Sequence, residues 1–288
     1  MIPAPFDYKR PGTLEEAIAL LREHGEGARL LAGGHSLLPI LKARLARPAV
    51  LVDIARIPGL AGITKTARGL LIGALTAHHE VETSSLVREG CPLLAEAAGR
   101  IGDVQVRNRG TIGGSAAHAD PAADYPAALL ALEAVMLAAG PEGARRIPAL
   151  DFFTGPYESA LGPAEILTAV EVPSLPPRSG GAYLKAAQQA SGFAVCGAAA
   201  IVTLDGGRIA SARLGITGVA PAAYRARRAE EALAGGAASP GAIQKAAALA
   251  AEGIEPLDDF HASAEFRAHL ARVYAGRALH EALKRAGG

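Results

Sequence analysis

Apolar and polar positions alternate along this chain with two periods, and the places where the period changes mark its elements. Leu14, Ile18 and Leu21 fall on one helical face, with Thr13 and Glu16 spaced as a capping box and Gly25 after the last periodic residue. Residues 28–32 and 49–54 are short apolar runs rich in β-branched and Leu residues, and are predicted as buried strands. Ile57-Pro58-Gly59 is a turn signal that closes this first unit.

From residue 60 to 173 short strands and helices mix. Gly69–Gly73 and Glu165–Val172 are expected as strands, Pro92–Ala98 and Ala122–Leu132 as helices. Residues 173–181 hold three prolines and two glycines, the composition of a linker. Beyond it, 193–204 and 208–216 are predicted to pair as a hairpin through Asp205-Gly206-Gly207. Two helices follow, with Ser239-Pro240 as N-cap and first turn of one and Ser263 capping the other. Phe266, Leu270, Val273 and Tyr274 are expected to form the core stripe of the last helix. The pattern gives an α+β fold in three units, 1–57, 58–177 and 178–288.

Composition narrows the function classes. Of 288 residues half are apolar, much of that alanine, and Trp is absent, so a core forms from small side chains. With 29 basic and 28 acidic residues the net charge of +1 offers no field for nucleic acid or an acidic membrane. No stretch supplies the ~20 apolar residues of a membrane span, and the N-terminal residues lack the basic and apolar regions of a signal peptide. Cys91 and Cys196, far apart, fit neither a disulfide framework nor a metal cluster. The expectation is a cytoplasmic protein with reduced thiols and no metal of its own.

Two stretches carry candidate chemistry. Ala32-Gly33-Gly34-His35-Ser36 follows a strand, and tandem glycines there let successive N–H groups converge on an anion. Gly110-Thr111-Ile112-Gly113-Gly114-Ser115 repeats the pattern with flanking hydroxyls, and Asp120 and Asp124 add carboxylates suited to sugar hydroxyls. Two such cups in one domain fit a long ligand with a diphosphate in its middle. Neither is a Rossmann fingerprint or a P-loop. The residues alone give a dinucleotide or phosphate ligand without naming it. Arg107-Asn108-Arg109 could neutralise the diphosphate or face a partner. His78-His79, adjacent on a helix, and His118 with Asp120 lack metal-ligand spacing, so His78 and His79 are expected at the surface.

These motifs, with Ala119-Asp120-Pro121 and Asp124 following the second, resemble the paired FAD motifs of the molybdenum hydroxylases. The closest resemblance is to the medium, FAD-binding subunit of the carbon monoxide dehydrogenase and xanthine dehydrogenase family. It extends over nearly the whole chain, including Phe6-Asp7-Tyr8, Leu51–Ile54 and Glu165–Leu167. It implies two subdomains clasping FAD, as in flavoproteins of the vanillyl-alcohol oxidase type, and a C-terminal α+β domain beside the flavin ring. Position by position it implies that residues 32–36 and 111–115 cradle the diphosphate and that Asp124 holds FAD hydroxyls. Ile101, Gly102 and Val106 would line the cofactor, and Leu161 and Lys185 would lie near the ring. Phe193 stands where many relatives carry tyrosine.

The implied role is electron transfer. FAD would take electrons from iron–sulfur clusters on a partner chain and pass them to a terminal acceptor. The partners would be a molybdenum-cofactor large subunit and a [2Fe-2S] small subunit, arranged as a dimer of heterotrimers. A self-contained FAD oxidase of a small alcohol or sugar, and a nucleotide-binding module without redox work, are the competing readings.

Overall fold

The computed structural model describes residues 2–287. Its first unit is a three-stranded parallel sheet in the order Asp7–Lys9, Val50–Asp53, Ala28–Leu31. The helix Leu14–His24 covers it with Ala17 and Leu21, which pack with Val50, Val52 and Ile54. Thr13 caps that helix by accepting from the Glu16 N–H at 3.2 Å, as expected. The reciprocal bond is displaced by one residue, because the Glu16 carboxylate accepts from the Gly12 N–H at 2.7 Å. The strand Asp7–Lys9 has no sequence signature: its three residues are all exposed and pair only at the sheet edge.

The second unit is a five-stranded antiparallel sheet ordered Ile63–Thr66, Gly69–Gly73, Ile166–Pro173, Val135–Gly140, Gly143–Pro148. The apolar stretch 127–139 therefore divides. Its first half ends the helix Asp124–Ala131, the chain reverses at Glu133 with φ 53°, and its second half is a strand. Every residue of the helix Asp124–Ala131 is buried, the signature of a helix enclosed on all sides. It packs against the C-terminal sheet as well as its own unit, and only glycine allows that approach. A Cβ on Gly215 would lie 2.1 Å from the Ala127 carbonyl oxygen.

The C-terminal sheet is antiparallel, ordered Ser179–Ala187, Ala194–Asp205, Arg208–Thr217, Tyr224–Arg225. The predicted hairpin is present, and Gly206 (φ 53°) and Gly207 (φ 79°) adopt the left-handed conformations its turn requires. The expected linker is shorter than its composition suggests, since Ser179, Gly180 and Gly181 already belong to a strand. Gly180 serves packing: a Cβ there would meet the Ala282 carbonyl oxygen at 2.1 Å.

That carbonyl belongs to the C-terminal helix Ala264–Gly287, which corrects the predicted stripe. The buried face is Ala271, Ala275, Ala278, Leu279, Ala282 and Ala286, while Phe266 is half exposed and Leu270 and Tyr274 lie at its margin. Small residues let the helix backbone settle close to the sheet, where the larger side chains do not fit. Ser239 and Ser263 cap their helices as predicted, accepting from the N–H groups of Ala242 and Phe266.

Candidate functional site

The two glycine stretches are in backbone contact. A Cβ on Gly33 would lie 2.2 Å from the Arg109 carbonyl oxygen and 2.8 Å from the Gly110 Cα, so no other residue fits without parting the loops. Gly34, at φ 78°, turns the first loop away from its strand and into the short helix Leu37–Lys42. At this junction a cavity of about 490 Å³ opens, within the range of sites for small molecules and cofactors.

Fifteen of the predicted residues line it. From the glycine stretches come Ala32, Gly33, Gly34, His35 and Ser36, then Gly110, Thr111, Gly113, Gly114 and Ser115. The remainder are Ile101, Gly102, Val106, Asp124 and Leu161. Ile112 and Lys185 do not reach the wall: Ile112 is fully buried in the core, and Lys185 stands behind Asp124.

The donors are divided unequally between the loops. Among the described residues, none accepts from the N–H groups of Gly33, Gly34, His35 or Ser36. Four unspent donors on consecutive residues of the cavity wall suit an anion's oxygens. The second stretch is not the matching backbone cup that its sequence suggests. It leads into the first turn of the helix Ile112–His118, and its N–H groups other than that of Thr111 are engaged. Ile112 donates to Thr76 O, Gly113 to Ala74 O, Gly114 to Thr111 Oγ1 and Ser115 to Thr111 O. Its glycines serve close packing, for a Cβ on Gly113 would sit 2.4 Å from Ala74 Cβ. What this side offers a ligand is hydroxyl groups, Thr111 and Ser115.

Asp124 is committed within the protein. Its carboxylate accepts from Tyr183 Oη at 2.5 Å and from Lys185 Nζ at 2.8 Å, and both charged side chains are about 95 % buried or more. Burial pushes the Asp124 carboxyl up to about 6, against the pull of Lys185 and the Tyr183 hydrogen bond. Lys185 also donates to the carbonyls of Arg100 (2.6 Å) and Gly192 (2.7 Å), which uses all three of its protons. It is thus a buried tie between the 100–102 segment and the 188–193 loop, and not a solvated lysine.

Arg107 plays a similar part. It pairs with Glu82 at 2.9 Å and donates to the carbonyls of Ile101 and Gly102, shaping the segment that lines the cavity.

Phe193, 42 % exposed, lines the cavity together with Tyr157, whose ring is tilted at 46° to that of His118 with centroids 5.2 Å apart. His79 is at the surface as expected, but His78 is not. The His78 ring lines the cavity and is 4 % exposed, and burial, aided by His35 and Arg107, depresses it to about 4. No pattern in the sequence distinguishes it from His79; a helix start buried under the second loop is a tertiary feature. Cys91 and Cys196 are buried free thiols, each pushed up to about 12 by burial and therefore protonated.

Comparison with known proteins places this geometry. Residues 4–175 match the family described as FAD binding domain in molybdopterin dehydrogenase, and residues 181–282 match the CO dehydrogenase flavoprotein C-terminal domain. The chain is 41% identical over 285 residues to the carbon monoxide dehydrogenase medium chain of Hydrogenophaga pseudoflava, covering 99% of each. It is 42% identical over 287 residues to the 6-hydroxypseudooxynicotine dehydrogenase complex subunit alpha of Paenarthrobacter nicotinovorans, covering 99% of this chain and 97% of that one. A solved structure of the Hydrogenophaga pseudoflava carbon monoxide dehydrogenase lacking the Mo-pyranopterin moiety superposes with a TM-score of 0.96 at 43% identity, over 99% of both chains. Quinoline 2-oxidoreductase from Pseudomonas putida 86 gives 0.93 at 36%, again over 99% of both. The chain belongs to the FAD-binding medium subunits of the molybdenum hydroxylases, the carbon monoxide and xanthine dehydrogenase family.

Proposed function

We propose that this chain is the electron-transfer subunit of a three-component molybdenum hydroxylase, working in the cytoplasm. Its partners are a molybdenum-cofactor large subunit and a [2Fe-2S] small subunit, in a dimer of heterotrimers. Bound FAD supplies the one- and two-electron redox chemistry. The protein's own residues bind, orient and shield it. Units 1–57 and 58–177 form the two walls of the cavity, and unit 178–288 brings Phe193 to its lining.

The observation that carries this reading is the set of four unspent N–H groups at residues 33–36, on residues that line one cavity together with Thr111 and Ser115. That donor set suits a diphosphate, while Ile101, Val106 and Leu161 supply apolar wall for a ring system. Asp124 lines the cavity and accepts from Lys185 and Tyr183, which leaves acceptor capacity for a hydroxyl of FAD. Lys185 supports the site from behind Asp124.

The test is isolation of the chain with and without its neighbours. Stoichiometric FAD in the chain, no turnover alone, and co-purification with molybdenum and iron–sulfur chains support the reading. Substrate oxidation by the isolated chain with oxygen would instead establish a self-contained oxidase.

A further inference from the structure

Three buried side-chain polar atoms lack a hydrogen-bond partner among the described residues, and two belong to touching side chains. His78 Nδ1 and Tyr125 Oη are both sealed from solvent, and their rings meet edge to face with centroids 5.3 Å apart. Buried polar atoms in native proteins are nearly always satisfied. Tyr125 is fully buried, and burial and the neighbouring Asp124 charge push its phenol well above its ordinary range, so it carries its proton. It is a donor in search of an acceptor. The two atoms make no bond to each other, and on the touching ring the imidazole Nδ1 is the acceptor that one enclosed water would join to the phenol.

The same side chain also borders the cavity. His78 lines it, and its Nε2 sits so close to Gly110 that a Cβ there would be 2.5 Å away. The His78 backbone N–H bonds the Gly110 carbonyl at 2.9 Å, which fixes the ring beneath the second glycine stretch. No protein atom among the described residues takes a bond from Nε2.

We propose that His78 is a third anchor for the flavin dinucleotide, outside both glycine stretches: Tyr125 donates through one enclosed water to Nδ1, which places the ring proton on Nε2 and presents it to a cofactor oxygen. The proposal rests on the cavity being the FAD site. His78 is neutral when it does this, because burial, His35 and Arg107 disfavour its charged form. A neutral donor suits a site already rich in N–H groups, since it adds a bond without adding a buried positive charge. Tyr125 acts through His78 and is a positioning residue.

The test uses the full chain with FAD removed and returned. Flavin fluorescence titration is expected to show at least tenfold weaker FAD binding for His78→Ala, the loss of one hydrogen bond to a charged oxygen. His78→Gln, which keeps a neutral donor of similar reach, should recover part of it, and Tyr125→Phe should lose a few-fold. Nitrogen-15 NMR of the histidines should give the Nε2–H tautomer for His78, with the Nε2 resonance shifting on FAD addition. This last readout needs no substitution, so it stands even if His78→Ala fails to fold. Unchanged FAD affinity in a folded His78→Ala, or an Nδ1–H tautomer, overturns the proposal. If the unaltered chain takes up no FAD, the cavity assignment has failed instead.

Discussion

Lys185 Nζ lies 2.8 Å from Asp124 Oδ1, and neither side chain has meaningful access to water. Two charges so enclosed are held in place by each other, and removing one strands its partner in a low-dielectric site. Lys185→Met is therefore expected to destabilise the fold by about 3–5 kcal/mol. Pairing it with Asp124→Leu should cost less than the sum of the two single changes. Urea denaturation of the four proteins in this cycle measures the coupling, and additive costs would show that the pair is not a unit.

Gly33→Ala is expected to remove FAD while leaving most secondary structure in place. The added methyl would meet the Arg109 carbonyl at 2.2 Å, a backbone atom that cannot swing aside. Parting the loops should cost about 1–3 kcal/mol, the usual scale of overpacking. Flavin-to-protein absorbance after dialysis, alongside the far-ultraviolet circular dichroism, separates the two effects.

Acid should act on His78 and Asp124 in opposite directions. His78 titrates near 4 in the folded chain against 6.5 ordinarily, so the unfolded chain binds the proton first. Its contribution is fully present above about pH 6.5 and is lost as pH falls toward 4, up to about 3 kcal/mol. Asp124, raised from 3.8 to about 6, is protonated first in the folded state, and its contribution falls as pH rises through that interval. Subtracting the stability–pH curve of His78→Gln from that of the unaltered chain isolates the histidine. A flat difference between pH 4 and 7 would mean that His78 is not kept neutral by its surroundings.

Gly180→Ala is expected to loosen the C-terminal helix by about 1–3 kcal/mol without touching the cavity. The methyl would collide with the Ala282 carbonyl at 2.1 Å. Hydrogen exchange should rise in residues 264–287 and remain unchanged at residues 32–36. Exchange that rises at both places would argue that the helix supports the site directly.

The parts of this protein legible in its sequence are those that local physics decides. Thr13, Ser239 and Ser263 cap where their side chains indicate, and Gly206-Gly207 turns the hairpin, because a cap or turn is settled within four residues. The first glycine loop was legible for the same reason. The second was half legible. Its residues do line the cavity, but whether an N–H is free depends on Ala74 and Thr76, which approach from a distant strand end. The same distance hides the burial of His78, the union of Asp124 with Lys185, and the alanine face of the last helix. In each, identical local patterns are compatible with surface or interior, and only the packing partner decides. Alanine in particular carries little periodic contrast, so a stripe of it is overshadowed by the bulkier Phe266 and Val273 beside it.

The seat of Gly33 on the Arg109–Gly110 backbone also fixes an order of events in the life of the protein. Segments separated by most of a domain's length must already be docked before the cradle exists at all. Ligand capture is then a late step of maturation, closed to a nascent or half-folded chain, and a yellow colour in a preparation certifies that long-range closure has taken place.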